Sequence, residues 1–384
     1  MHGIFRQRVL IGTVLLIAFG AGAQEDLRSF QHGIDFVPGA EGRWWLIWSS
    51  SGHPPTGPDD EGNWPHDVYR ASIDPKAPAI APELFIRRPE AQEPASAAAT
   101  TDGNIMVTME DGWNARNVLA QRYGVYDATL APVRAYPRDV YDGGHSGHVA
   151  AAGNHFVVFY SDEWVSGGGV DDLGSGDDVL ARVYDSKGSF LYPKRIAVGT
   201  ETRDWWPEVA GSERVACLVW QRFVDGETHA DLMVAMLDVE TGRLFLKPTK
   251  LKGNLAYYTY SVAWLPLVER FLVLGAYDDG GGFGVLLDES GGVKAESRSL
   301  PPLVRESQSI VREDGNRVTV VQPSHPNGLM VLSVSSNAIT VGKGIEDGYN
   351  WKYAGTDGIF LDRNNVYIVS LSSKGLVERK YRVE

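Results

Sequence analysis

The feature of this chain that most constrains its fold is a sequence pattern that recurs about every 45 to 55 residues. Each unit has a short apolar stretch and a turn, then a strongly apolar run such as FVVFYSDEW or ACLVWQRF, and then an alternating run such as VLARVYDSKG. β-Branched and aromatic residues dominate these runs, and Asp-Gly and Thr-Gly turns separate them, which indicates strands. Repeats of this length are typical of propeller blades, in which each sheet buries its faces against its neighbours.

The pattern can be followed through seven units, and no stretch has a helical period long enough to predict a helix. We therefore predict an all-β fold, a seven-bladed β-propeller of four-stranded antiparallel sheets. The seventh unit runs out of chain after its third strand, whereas the segment EDLRSF (25–30) precedes the first inner strand. We expect residues 25–30 to supply the missing outer strand and so close the ring. The alternative is a disordered N-terminal tail.

The first 23 residues have the pattern of an export signal. Arg6 and Arg8 precede an apolar run over 9–20, and the small residues of 21–23 suit a signal peptidase. The apolar run is short for a membrane span. We therefore expect a secreted or periplasmic protein with one propeller domain over residues 24–384 and no membrane span after cleavage.

The charge and the cysteine content narrow the classes of partner. A net charge of −13 argues against a nucleic-acid groove or an anionic membrane surface and leaves room for cation binding. Cys217 is the only cysteine, so the chain forms no intrachain disulfide. Because it lies in the apolar run VACLV, we expect a buried small side chain rather than a reactive thiol. We expect a monomer that binds a glycan or a partner protein and no nucleic acid.

The units resemble a family of bacterial exported propeller repeats. These repeats carry the pattern Pro-x-Val-Ala, an apolar run that ends in Val-Trp, and a strand like Ile-x-Ala-Gln-Arg. The matching stretches here are PEVA (207–210) with LVW (218–220), and LAQR (119–122). The strand LARVYD (180–185) fits the same pattern without the Gln. The resemblance implies the propeller architecture and no single activity, because such propellers occur in proteins of varied role.

Aromatic residues and histidines concentrate in the two loops of each unit that reach the same face of a propeller. Indole rings on such a face offer apolar area and an N–H donor, which suits the faces of sugar rings. The alternative is that these rings plug the channel or pack between blades. The predicted ligand-binding residues are Trp64, His66, Trp113, Trp205, Trp206, Tyr349 and Trp351.

The run DGGHSGH places His145 and His148 three residues apart at the start of the third inner strand. Two such imidazoles can act as acid and base, contribute to a metal site, or serve as structural hydrogen-bonding groups. A looser similarity to propeller polysaccharide lyases implies a β-elimination in which His and Tyr are base and acid and Arg neutralises a uronate carboxylate. The candidates that this similarity implies are His145, His148, Tyr258, Tyr260, Arg203 and Arg305.

A Gly-rich loop after Trp164 carries several carboxylates, namely Asp171, Asp172, Asp177 and Asp178. Carboxylates on a flexible loop can coordinate Ca²⁺, which favours oxygen ligands. Their spacing matches no EF-hand, so a solvated acidic loop is the alternative. Ca²⁺ is the only cofactor that the sequence suggests.

Two functions from different classes fit these observations. The first is a binding propeller whose loop face recognises an acidic or neutral glycan, or a partner protein. The second is a carbohydrate-active enzyme, either a polysaccharide lyase or a glycoside hydrolase, that uses His, Tyr and Arg at the channel mouth. The chain has no Gly-x-Ser-x-Gly elbow, phosphate-binding loop or His-Glu-x-x-His motif, so no motif decides between the two.

Overall fold

A computed structural model of the chain describes most of the residues after the N-terminal segment. The described ranges are 30–52, 66–112, 119–165, 175–200, 203–224, 226–326, 328–346, 348–351 and 355–383, with 163–165 and 175–177 described by their backbone alone. Within these ranges the chain forms 27 strands and two short 3-10 helices, Ala40–Gly42 and Pro266–Val268. No helix in the described part is long and apolar enough to cross a membrane.

The first three sheets each have four antiparallel strands that follow one another along the chain. The first holds β1 to β4 (Gln31–Pro38, Trp44–Ser50, Asp67–Ile73 and Glu83–Ile86). The second holds β5 to β8 (Ser96–Ala99, Ile105–Asp111, Ala120–Tyr126 and Pro132–Asp142). The third holds β9 to β12 (His145–Ala152, His155–Val165, Ser175–Asp185 and Ile196–Gly199).

The fourth sheet has seven strands because one long strand serves two sequence units. It holds β13 to β19 (Asp204–Gly211, Val215–Phe223, Ala230–Asp238, Arg243–Leu265, Arg270–Tyr277, Gly282–Leu287 and Val293–Leu300). The strand β16 is 23 residues long. Its first half pairs with β15, and its second half pairs with β17. Asn254, with a φ of 57°, lies where β16 passes from one partner to the other.

The last two sheets complete the chain. The fifth holds β20 to β23 (Ile310–Asp314, Arg317–Ser324, Gly328–Ser335 and Ala338–Val341), with β24 (Ile345–Glu346) beside β22. The sixth holds β25 to β27 (Thr356–Phe360, Asn365–Ser372 and Gly375–Arg382).

The sheets are arranged as a β-propeller. The inner strands contact one another in the order β1, β5, β9, β13, second half of β16, β20 and β25, and β25 returns to contact β1. The all-β propeller is thus confirmed, but the prediction of seven separate four-stranded sheets is wrong. The described residues form five sheets of four or more strands and one of three. The physical reason is that β16 does not break between the fourth and fifth units, and that β27 has no further strand beside it in the described part.

The hydrophobic core lies between neighbouring sheets. Trp48 of β2 packs in one cluster with Tyr367 of β26, which joins the first sheet to the last. Trp220 of β14 meets Phe159 of β10 edge to face, with ring centroids 5.9 Å apart. Cys217 is fully buried, and burial raises the pKa of its thiol, which confirms the expected inert core residue.

The proposed closing strand lies almost wholly outside the described residues. Of the segment 25–30, only Phe30 is described. It is buried, and its carbonyl accepts a hydrogen bond of 2.9 Å from the Ser51 amide. Phe30 therefore extends β1 beside β2 instead of pairing with the last sheet, and pairing by residues 25–29 stays a prediction.

Candidate functional site

The start of each inner strand carries a recurrent backbone feature. One residue there has a positive φ: Gly33, Ser146, Trp206, Tyr258, Glu306 and Gly355. The pairing register shifts at the same point in β1, β9, β13 and β16. Such bulges re-aim side chains and are frequent next to functional sites. At Gly33 the close approach also matters, since a Cβ there would lie 2.6 Å from the Ala95 amide nitrogen.

The second residue after this position is polar in every unit. In the second unit, Pro94 takes the place of the positive-φ residue, and Ser96 follows it. We call this set the central ring: Asp35, Ser96, His148, Glu208, Tyr260, Gln308 and Asp357. The inner strands are neighbours, so the ring surrounds the mouth of the central channel.

Four members of the central ring line one cavity at this mouth. The cavity has room for about one water-sized group, and the space of about 300 Å³ around it includes open solvent. Its polar lining consists of Asp35, His148, Glu208 and Gln308 from the ring, together with Trp206 and Glu306. None of the described residues that line it is a lysine or an arginine. The cavity therefore presents carboxyl groups from two sheets, by Asp35 and Glu208, and from the segment before β20, by Glu306.

Several carboxyl groups near the cavity also hold neighbouring sheets together. Asp35 Oδ2 accepts a hydrogen bond of 2.6 Å from the Ala97 amide of the second sheet. Asp357 Oδ2 accepts one of 2.7 Å from the Phe36 amide, between the last and first sheets. In the same way, Glu110 accepts one from the Ser146 amide. These bonds hold neighbouring sheets in position around the channel, because each carboxyl group accepts a hydrogen bond from a backbone amide of the next sheet.

Burial makes these groups weak acids. It raises the pKa of Asp35 to about 7 and that of Glu110 to about 8, where Glu93 adds to the effect. Burial and then the charge of Glu306 raise the pKa of Glu208 to about 8. For Asp357, burial and then Asp35 hold the pKa well above its usual range. Near neutral pH the mouth therefore holds both carboxyl donors and carboxylate acceptors.

His32 lies between two carboxylates at the edge of the cavity. Its Nδ1 is 2.5 Å from Glu93 Oε2, and its Nε2 is 3.3 Å from Glu306 Oε2. Burial alone would lower the pKa of His32, but Glu93 and Glu306 raise it to about 10. The side chain of His32 is thus an imidazolium. It stacks on the Trp206 indole, with ring centroids 5.9 Å apart. The other oxygen of Glu306, Oε1, is buried and has no hydrogen-bond partner among the described residues.

His148 is the predicted catalytic residue that lines the cavity. Its Nδ1 is 2.8 Å from the Pro207 carbonyl. Because a carbonyl only accepts, Nδ1 carries the proton. Burial lowers the pKa of His148, against an opposing effect of Asp35. The neutral imidazole turns Nε2 toward Glu208 Oε1, at 3.7 Å, and can accept a hydrogen bond there.

The histidine and tryptophan that precede His148 and Trp206 are packed away from the cavity. His145 is fully buried, and its Nδ1 lies 3.1 Å from Ser146 Oγ. Trp205 donates a hydrogen bond of 3.0 Å to the same hydroxyl. Neither residue lines the cavity, so of the pair His145 and His148 only His148 borders it, and a catalytic role for either stays a prediction.

The predicted tyrosines and arginines are also placed outside the cavity lining. Tyr260 is buried, with its hydroxyl bonded to the Trp206 carbonyl and to the Gln221 amide, and burial raises its pKa well above its usual value. Arg305 lies over the ring of buried Tyr258 at 4.7 Å. Arg203 lies over the Phe223 ring at 5.0 Å. Packing between sheets accounts for the positions of these side chains.

The other described residues that were predicted to bind a ligand also lie outside the cavity lining. Trp351 is 1% exposed, donates a hydrogen bond of 2.9 Å to the Gly328 carbonyl and packs between the last two sheets. Tyr349 is partly buried beneath the Arg379 guanidinium, 3.9 Å from its ring centroid. His66 is fully buried. Trp64 and Trp113 lie outside the described residues, and a role for them in ligand binding stays a prediction.

The prediction that all four carboxylates lie in one loop is wrong for two of them. Asp177 and Asp178 belong to the strand β11, which begins at Ser175, and not to a loop. Asp178 pairs across the sheet with Asp162, and Asp162 lies 2.6 Å from Arg195. Asp171 and Asp172 lie outside the described residues. In the described part, no three His, Cys, Asp or Glu side chains are grouped to hold a metal, and Ca²⁺ binding by this segment stays a prediction.

The sequence analysis missed the acidic residues of the central ring. Asp35, Glu208 and Asp357 each stand near the start of an inner strand that is otherwise small or apolar, as in IDFV, PEVA and TDGIF. That recurrent polar position was a visible signal. The sequence analysis selects aromatic residues by their expected exposure in loops, whereas the acidic residues are marked by their position in the repeat.

Comparison with known proteins supports the fold. The sequence matches no known protein family and no curated protein, so membership of the repeat family stays a prediction. Among solved structures, the BP39L lectin from Burkholderia pseudomallei has a TM-score of 0.58 at 13% identity, over 92% of this chain and 97% of that one. The polysaccharide lyase Uly1 has a TM-score of 0.53 at 8% identity, over 94% and 91%. A protein of unknown function from Dyadobacter fermentans has a TM-score of 0.53 at 11% identity, over 92% and 95%. At such identities the likeness concerns the fold alone.

Proposed function

We propose that this protein is a glycan-binding propeller and that the cavity at the channel mouth receives one polar group of a sugar residue. The observation that carries the proposal is the polar lining of that cavity, in which three carboxyl groups that are distant in the chain lie near His148 and Trp206. Sugar hydroxyls both donate and accept hydrogen bonds, so they fit a lining that offers both kinds of partner. Two solved proteins with this fold are a lectin and a polysaccharide lyase, which supports a carbohydrate as the ligand class.

The charge of the lining selects among glycans. Asp35, Glu208 and Glu306 line the cavity, and no described lysine or arginine accompanies them. Asp35 and Glu208 are weak acids with pKa values of about 7 and about 8, so Glu306 is the lining carboxylate that a uronate would oppose at close range, where like charges repel. The proposed ligand class is therefore neutral or cationic, which removes the acidic glycans expected from the sequence and adds cationic ones.

A glycan array with the protein beginning at Gln24 tests the proposal. We expect binding to a defined subset of neutral or amino glycans. Glu208→Ala should weaken that binding by about 3- to 10-fold, the effect of losing one hydrogen bond. Glu41→Gln, at the exposed opposite end of the first sheet, should bind as the wild type does. An array without any bound glycan, from a folded protein, would contradict the proposal.

A second candidate function, glycoside hydrolysis, rests on the pair Glu208 and Glu306. A carboxyl with a pKa of about 8 beside a second carboxylate is the arrangement in which one group protonates a leaving oxygen. This candidate uses carboxylates, whereas the lyase chemistry would require His, Tyr and Arg groups that mostly lie outside the cavity lining. Release of reducing ends from the bound glycans, lost in Glu208→Gln, would support hydrolysis. Binding without any release would leave the protein a lectin.

We also propose that the protein acts outside the cytoplasm, after cleavage before Gln24. The N-terminal pattern of Arg6, Arg8 and the apolar run supports this location. N-terminal sequencing of the protein from a periplasmic or culture fraction tests it. A mature protein that retains Met1, found in the cytoplasm, would contradict export.

A further inference from the structure

The cavity contains one acceptor that the protein itself leaves unused. Glu306 is 9% exposed, and its Oε1 is buried without a hydrogen-bond partner among the described residues. An unsatisfied buried acceptor of this kind costs free energy unless a ligand, a water or an ion pairs with it. Because Oε1 itself has almost no accessible surface, a group that satisfies it would have to approach through the cavity that Glu306 lines, with a small movement of the carboxyl group.

Beside the cavity one cation is shared between two carboxylates, so these three groups together carry an excess of one negative charge. One imidazolium, that of His32, lies between two carboxylates, at 2.5 Å from Glu93 and 3.3 Å from Glu306. A single positive charge balances one of the two. Asp35 and Glu208 add further carboxyl groups, and His148, the one basic residue among the described residues of the lining, is turned to the Pro207 carbonyl and Glu208.

From this unused acceptor and this excess charge we infer that the cavity recognises the primary ammonium group of an amino sugar. The inference rests on the proposed glycan-binding function and names the substrate class of the same site. An ammonium group has three N–H donors and no acceptor. One donor would reach Glu306 Oε1, and the others would reach Glu208 and Asp35, which lie on other sheets. An N-acetyl group at the same carbon has one donor, carries no charge and adds bulk.

Three sugars with the same ring test the inference by calorimetric titration: glucosamine, N-acetylglucosamine and glucose. We expect glucosamine to bind at least about tenfold more tightly than the other two, since hydrogen bonds to charged groups exceed neutral ones. Glu306→Gln keeps the size of the side chain and removes its charge, so it should abolish the preference. Glu41→Gln, which is distant from the cavity, should retain it. Ethanolamine, an amine without a sugar ring, should bind more weakly than glucosamine.

The outcomes separate this inference from the proposed function. Equal binding of the three sugars, or tighter binding of glucose or N-acetylglucosamine, would overturn the amino-sugar class while glycan binding stands. A preference that survives in Glu306→Gln would overturn the role of Glu306. Ethanolamine bound as tightly as glucosamine would show an amine site without sugar recognition. No binding of any probe at millimolar concentration would overturn the inference, and the glycan array would then decide the proposed function independently.

Discussion

Trp206 connects the cavity to the core. Its indole stacks on His32 at 5.9 Å and meets Tyr258 edge to face at 5.2 Å. It is 5% exposed, and its φ of 56° lies in the left-handed region that bulky residues seldom adopt. The surrounding packing must therefore hold the residue in place. Removing this ring affects both the site and the stability of the fold.

We predict that Trp206→Ala lowers the free energy of unfolding by about 3–5 kcal/mol, the range for a large aromatic residue in a packed core. Urea denaturation followed by fluorescence measures this change. Trp264→Ala, at a partly buried position on a different part of the same cluster, should cost less. A loss below about 1 kcal/mol for Trp206→Ala would mean that the ring contributes mainly to ligand contact, as the sequence analysis supposed.

At the level of elements, the last sheet has the fewest strands among the described sheets. It has three described strands, and its outer strand β27 alternates exposed and partly buried residues. An unpaired outer strand presents free backbone groups to other chains. A strand from residues 25–29 would cover that edge and would lie directly before Phe30, which already extends β1.

We predict that deletion of residues 24–29 lowers the melting temperature by a few degrees, because the loss of one outer strand costs about 1–2 kcal/mol in a domain of this size. Differential scanning calorimetry of the shortened and the full mature protein measures this. A variant with the same six residues in scrambled order controls for length and composition. Identical melting temperatures for the deletion and the full protein would argue for an unpaired tail.

Across the whole molecule, buried carboxyl groups link the sheets around the axis. Burial raises the pKa of Asp35 to about 7 and those of Glu110 and Glu208 to about 8. In the folded state these groups hold protons that the unfolded chain has lost. Stability from them is present below the unfolded pKa near 4 and is lost as pH rises toward about 8. The pKa of His32 is raised to about 10, so its contribution to stability is also lost as the pH rises. The pKa of His148 is lowered, so its contribution to stability is lost as the pH falls below about 6.5.

We therefore predict that the protein is more stable near pH 5 than near pH 9, by several kcal/mol, since each unit of pKa shift is worth about 1.4 kcal/mol. Urea denaturation at a series of pH values measures this slope. Glu110→Gln keeps an acceptor for the Ser146 amide and removes one of the buried acids, so it should flatten the slope. A stability that rises from pH 5 to pH 9 would contradict the assignment of these carboxyl groups as buried weak acids.

The sequence by itself determined the local structure. The alternation of apolar residues, the β-branched runs and the Gly-containing turns act over a few residues, so they predicted an all-β repeat and the burial of Cys217 correctly. The same local signals could not show that β16 continues through the boundary of two units, because strand pairing with β15 and β17 decides where that strand ends. They also could not show that Asp177 and Asp178 join a strand in spite of their Gly-rich surroundings.

Only the tertiary structure decided which side chains meet at the channel mouth. Asp357 accepts a hydrogen bond from the Phe36 amide, 321 positions away in the chain, and Glu306 meets His32 across the same closure. Such contacts depend on the number, tilt and closure of the sheets, which are set by the summed packing of all their faces. Exposure likewise follows from that packing, so Trp205 and Trp351 became buried while Glu208 and Glu306 came to line the cavity. A local sequence pattern shows which residues form a strand. The closure of the sheets into a propeller determines which residues of distant strands share one site.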